Sequence, residues 1–183
     1  MLRDVCEDEF NSKLDEGTAK IHLYRGRKSN EIRDRVKQHL TTEKTDSVIV
    51  VGGGNDLPSS RTPEDIAETL VNIGVDCMNA GVPVGKIYIS SILPRDDADL
   101  QIKRKKANNL LRQECKKRNF VFINDNIILS RHIRRDGVHL NKGGTHKVTN
   151  NLLDVLNDRI NSRAEDWSAM SIDSNTPICV GGN

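Results

Sequence analysis

Aromatic side chains are scarce, with Phe, Trp and Tyr making up 3% of the 183 residues. A core here must rest on Val, Ile and Leu, which suits parallel strands buried on both faces. Long apolar runs are missing as well, and nothing approaches the roughly 18 residues of a membrane-crossing helix. Met1 to Phe10 is acidic and mixed, unlike a secretory signal, so a cytoplasmic location and no membrane contact are the default expectation. Cys6, Cys77, Cys115 and Cys179 are scattered, with no Cys-x-x-Cys pair, and free thiols are expected. Cys and His show no short metal-ligand spacing, His139 and His146 being seven residues apart, so neither a zinc site nor another metal or cofactor is expected.

Strong charge of one sign is also lacking. The net charge of +2 is too small to imply nucleic acid by itself. Lys103-Arg104-Lys105-Lys106 and Lys116-Lys117-Arg118 form a local exception. They read first as the solvated face of a helix, with nucleic acid as the alternative partner.

Apolar residues at 36% and charged residues at 30% describe a soluble, rather polar globular chain of one-domain size. Helical and strand patterns alternate throughout, pointing to βαβ units and an α/β fold with a parallel sheet. Strands are expected at residues 20–24, 47–51, 86–90 and 119–123. Val48-Ile49-Val50-Val51 is a continuous apolar run, the mark of a strand covered on both faces. Residues 20–24 alternate instead, with Ile21 and Leu23 apolar, as nearer an edge. Thr62, Pro63 and Asp65 form a helix start with a capping box. Ile66, Leu70, Ile73 and Cys77 then share one helix face, and Gly81 can end it in the left-handed region. Further helices are marked by Ile32, Val36 and Leu40 after Ser29, by Leu100, Ala107, Leu111 and Cys115, and by Val148, Leu152, Val155 and Ile160. Leu2, Cys6 and Phe10 mark an uncapped first helix with no strand before it. The domain is expected over residues 1–162, with residues 163–183, rich in Ser, Asn, Asp and Gly, as a flexible tail.

Two clusters can carry chemistry. Gly52-Gly53-Gly54-Asn55-Asp56 follows the most apolar strand, and ligands of open α/β sheets bind outside the carboxyl ends of strands. A dinucleotide fingerprint would need Gly in place of Leu57, and a phosphate loop would need Gly-Lys-Ser/Thr; both fail. Three glycines alone would mean a tight turn. Asn55 adds an amide donor where an oxyanion could sit. Arg135-Asp136-Gly137-Val138-His139-Leu140-Asn141 places Asp and His three residues apart at the entrance to the last helix. Such a turn can hold a carboxylate against one imidazole nitrogen while the other faces a cleft, the orienter-and-base half of a nucleophilic triad.

Taken together, Gly53-Gly54-Asn55-Asp56 and Asp136-Gly137-Val138-His139-Leu140-Asn141 resemble, in order, the Gly-x-Asn-Asp and Asp-x-x-His blocks of the SGNH (GDSL-type) esterase superfamily. The resemblance covers roughly residues 1 to 160. It implies a three-layer α/β/α, flavodoxin-like fold with sheet order 2-1-3-4-5. It also implies His139 as general base, Asp136 as its orienter, and Asn55 with the N–H of Gly26 in the oxyanion hole, acting on a small ester without a metal. Gly26 is matched through Tyr24-Arg25-Gly26-Arg27 alone.

The Gly-Asp-Ser turn that bears the family nucleophile is absent from this chain. Met1-Leu2-Arg3-Asp4-Val5 is similar to the start of the helix that follows that turn. Ser12, Ser29, Ser47, Ser59 and Ser60 are all poorly placed to replace it. By resemblance, the lost strand would lie mid-sheet, between residues 20–24 and 47–51. Each buried backbone group left unpaired costs about 1–3 kcal/mol, against a typical total stability of about 5–15. The expectation is an ester hydrolase domain lacking its serine, and so incomplete or inactive as it stands. The alternative is a non-catalytic, esterase-like binding module descended from a mobile element.

Overall fold

Val48 and Val50 pack into one apolar cluster, while Ile49 and Val51 pack against another. This period-two alternation splits a continuous apolar run between the two faces of one sheet. The structure is a computed structural model describing residues 5–157. Leu2, Ile160, Cys179 and the tail expected over 163–183 lie outside the described residues.

Strands β1 (Val48–Val50), β2 (Ile87–Ser90) and β3 (Val121–Ile123) form a parallel sheet in the order β1-β2-β3. Helices α2 (Ser29–Thr42), α3 (Pro63–Asn79) and α4 (Ala98–Arg118) cover one face, adding Ile32, Val36, Ile66, Leu70 and Leu111 to its core. Helices α1 (Glu7–Asn11) and α5 (Lys142–Leu156) cover the other with Phe10, Val148 and Leu152. The result is three layers. Thr62 Oγ1 accepts from Asp65 N at 3.1 Å and the Asp65 carboxylate accepts from Thr62 N at 2.9 Å, so the box that starts α3 is closed. The Cys77 and Cys115 side chains of α3 and α4 are free thiols that burial pushes up to about 11 and about 12. Helix α4 is not uniformly a solvated basic face. Lys103 donates to the carbonyls of Leu57 and Ser59 at 2.9 and 2.7 Å, and Arg104 donates to Ile92 O at 3.2 Å.

Residues 20–24 depart from expectation, for they form no strand. A strand needs a ladder partner, and here a cleft of about 1510 Å³ intervenes, lined by Ile21 and Leu23 and by Ile49 and Val51. Side chains of α1 satisfy part of the stretch instead. Asn11 accepts from Ala19 N at 2.6 Å and donates to Ala19 O at 3.0 Å, while Glu7 accepts from Ile21 N at 2.6 Å. Among the described residues β1 pairs with β2 alone, and its other edge has no strand partner there.

Two predictions come from the core. A Cβ on Gly74 of α3 would lie 2.7 Å from the Phe120 ring and 3.1 Å from Ile87. Overpacking costs about 1–3 kcal/mol and the helix gains about 1 from Ala, so Gly74→Ala should lower unfolding free energy by up to about 2 kcal/mol in urea melts. Asp125 is buried below β3, accepting from Ser90 Oγ at 2.6 Å and Asn151 Nδ2 at 2.8 Å, and burial raises its pKa above the usual carboxylate range. The stability it contributes is present below the unfolded value of about 3.9 and is lost as pH rises through its higher folded value. Asp125→Asn should therefore gain on the parent protein as pH rises above about 4; parallel curves would refute the assignment.

Candidate active site

β1 ends in a turn that only glycine can make. Gly53 has φ +84°, and a Cβ there would lie 2.9 Å from Ile92. The next turn carries Asn55 outward and Asp56 inward. Asp56 is wholly buried, and its carboxylate accepts from Ser29 N at 2.9 Å, Ser29 Oγ at 3.0 Å and Arg61 Nη1 at 2.6 Å. Ser29 opens α2, so the carboxylate also sits at the positive end of a helix. Arg61 braces the knot, donating to Ser29 Oγ and Asp65 O at 2.8 Å each and to Thr69 Oγ1.

That knot holds the 25–28 loop against Asn55. Asn55 Nδ2 donates to Arg27 O at 3.0 Å, and Asn55 Oδ1 accepts from Arg95 Nη2 at 2.9 Å. The amide is thereby oriented, and Nδ2 retains a second hydrogen for a ligand. Gly26, at φ +70°, belongs to the same loop and lines the cleft.

The Asp136 turn is assembled by its own backbone. Asp136 Oδ1 accepts from the N–H groups of Val138 and His139 at 2.9 Å each, and Oδ2 lies 2.8 Å from His139 Nδ1. The His139 N–H, then the Val138 N–H, then the His139 ring hold the Asp136 carboxyl well below the usual range. Gly137, at φ +69°, lets the chain reverse, and its carbonyl accepts from Asp96 N at 2.9 Å. Asn141 then caps α5, accepting from Gly144 N at 3.0 Å. The His139 side chain stays 27% exposed.

Gly26, Asn55, Arg95, Val138 and His139 all line the one cleft. Asn55 follows β1 and Arg95 follows β2, so the site lies beyond the carboxyl ends of the strands. Arg95 was not singled out from the sequence. Its signal was position, since Leu93-Pro94-Arg95 follows β2 much as Gly54-Asn55 follows β1. Arg61 gave no such signal, because its bond to Ser29 spans 32 residues of sequence. Among the described residues, no Ser, Thr or Cys side chain is hydrogen-bonded to His139. Ser29 Oγ bonds Asp56, Ser59 Oγ donates to Asp56 O at 2.6 Å, and Ser12 Oγ donates to Glu9 O at 2.8 Å. Ser47 lies before β1, at the end away from His139.

No protein-family profile matches the chain, and no curated protein matches it in sequence. Solved structures do match in fold. A member of the lipolytic G-D-S-L family from Veillonella parvula is 17% identical, with TM-score 0.68 over 84% of this chain and 90% of its own. A GDSL-like lipase from Bacteroides thetaiotaomicron is 15% identical, with TM-score 0.63 over 73% of each chain. A lipase/acylhydrolase from Enterococcus faecalis is 18% identical, with TM-score 0.59 over 73% of this chain and 72% of its own.

The buried knot yields its own test. Arg61→Ala leaves the Asp56 charge buried without its cationic partner, a loss on the order of 3–5 kcal/mol. A melt should show a large drop in stability; a change below about 1 kcal/mol would mean that the pair is dispensable.

Proposed function

We propose, from a fold shared with the GDSL/SGNH hydrolases, that the cleft is an acyl-transfer site for short-chain esters. His139 is the general base, Asp136 orients it, and Asn55 Nδ2 with the Gly26 N–H meets the oxyanion. The reading requires a nucleophilic serine beyond those of the described residues, presented to the cleft between residues 20–24 and β1. One observation carries this reading: His139, paired with Asp136, and an oriented Asn55 amide line the same cleft.

The chemistry follows from those positions. The serine hydroxyl adds to the ester carbonyl as its proton passes to His139 Nε2. The carbonyl oxygen becomes an anion, and donors fixed in advance stabilise it at no reorganisation cost. Collapse expels the alcohol, which takes the proton from His139. Water repeats the cycle on the acyl-serine and releases the acid. Asp136 keeps the imidazole in the tautomer with Nδ1 protonated, so that Nε2 is free to accept.

A fusion that places an apolar strand ending in Gly-Asp-Ser ahead of residue 1 should hydrolyse a short-chain ester. His139→Ala should lower kcat by on the order of 10⁴-fold or more. A folded but inert fusion would sink the enzymatic reading. It would favour a second one, a non-catalytic binding module, which the lack of any hydroxyl bonded to His139 among the described residues supports. In that reading α4 is the surface for nucleic acid, and binding should weaken steeply with salt.

A further inference from the structure

Arg95 is a buried cation without a buried anion. It is 7% exposed, and among the described residues it takes part in no ion pair. Its Nη2 is engaged by the neutral Asn55 amide, while its buried Nε has no hydrogen-bond partner. Gln101 Nε2 donates to the Arg95 carbonyl, tying this stretch of backbone to the first turn of α4. The nearby carboxylate of Asp136 is already engaged by two backbone N–H groups and His139.

A guanidinium taken out of water is costly unless its charge and its donors are both met. Asn55 meets one donor and none of the charge. Burial accordingly lowers the pKa of Arg95, with Asp136 opposing. Arg95 lines the cleft together with Asn55 and His139, so its uncompensated charge borders the cavity where a substrate would sit, while its Nε is enclosed. The planar fork of Arg suits the two oxygens of a carboxylate or phosphate, and such charge-assisted bonds are roughly twice as strong as neutral ones.

We infer that Arg95 is an anion receptor within the cleft, so that the preferred ester carries a carboxylate or phosphate group beside its reacting carbonyl. The substrate half of this statement rests on the hydrolase reading above; the anion half does not. Binding is therefore measured on the full chain without any added serine. The chain is titrated separately with acetate, inorganic phosphate and uncharged acetamide, following the Arg95 Nε–H and Asn55 side-chain signals by NMR. Saturable shifts are expected with acetate or phosphate and not with acetamide, and the tighter of the two anions identifies the group. Arg95→Gln should weaken that binding by about tenfold or more, and Arg95→Lys by less. If neither anion shifts Arg95, or if folded Arg95→Gln binds as tightly as the parent, the inference is overturned and Arg95 merely positions Asn55. Should Arg95→Gln fail to fold, the acetate–acetamide contrast at the Arg95 signal decides the matter in the parent chain. Anion binding with an inert serine fusion would leave the receptor standing and remove the hydrolase. A fusion that turns over neutral esters while no anion binds would do the reverse.

Discussion

A single carboxylate, that of Asp56, fastens the first turn after the sheet to the start of α2. Its bonds to Ser29 and Arg61 join groups 27 and 5 residues away in sequence. They add to the Asn55–Arg27 bond in holding the 25–28 loop over Asn55, where Arg27 O sets the angle of the amide. A fully buried charge is costly, and that cost is what makes the arrangement specific, since few alternative packings satisfy every oxygen. The candidate oxyanion donors thus depend on tertiary structure for their geometry.

The Asp136–His139 turn is built on the opposite principle. Its carboxylate bonds only to groups two and three residues away, and a left-handed glycine inside the turn makes the reversal possible. Such a unit is nearly self-contained, and the fold only has to aim it. One bond from Asp96 to Gly137 O and the cap of α5 by Asn141 do so. The cleft therefore combines a local device with a long-range one, meeting at the ends of β1 and β2.

This difference explains what could be read in advance. The three strands from Val48 onward, the capping box of α3 and the Asp136 turn all follow from residues close in sequence, where period and cap chemistry suffice. The apolar alternation of residues 20–24 was equally clear, yet alternation records only which faces are apolar, and no ladder partner lies beside it among the described residues. Arg61 and Arg95 were out of reach for another reason. Each matters through a contact whose partner only the folded chain brings close, Arg61 to Ser29 and Arg95 to Asn55. Lys103 and Arg104 show the same limit, for a run of charge does not reveal which of its members turn inward to cap carbonyls.

The two walls of the cleft are made of different material. β1 is held by main-chain bonds to β2 that fail only with the sheet. Residues 19–21 are held by the side chains of Asn11 and Glu7 on a helix of five residues. Rotamers can let go one at a time, so this wall opens by local fluctuation at a free energy well below that of global unfolding. Amide protons at Ala19 and Ile21 should then exchange with solvent far sooner than those of the sheet, and the width of the cleft becomes a fluctuating quantity governed by α1.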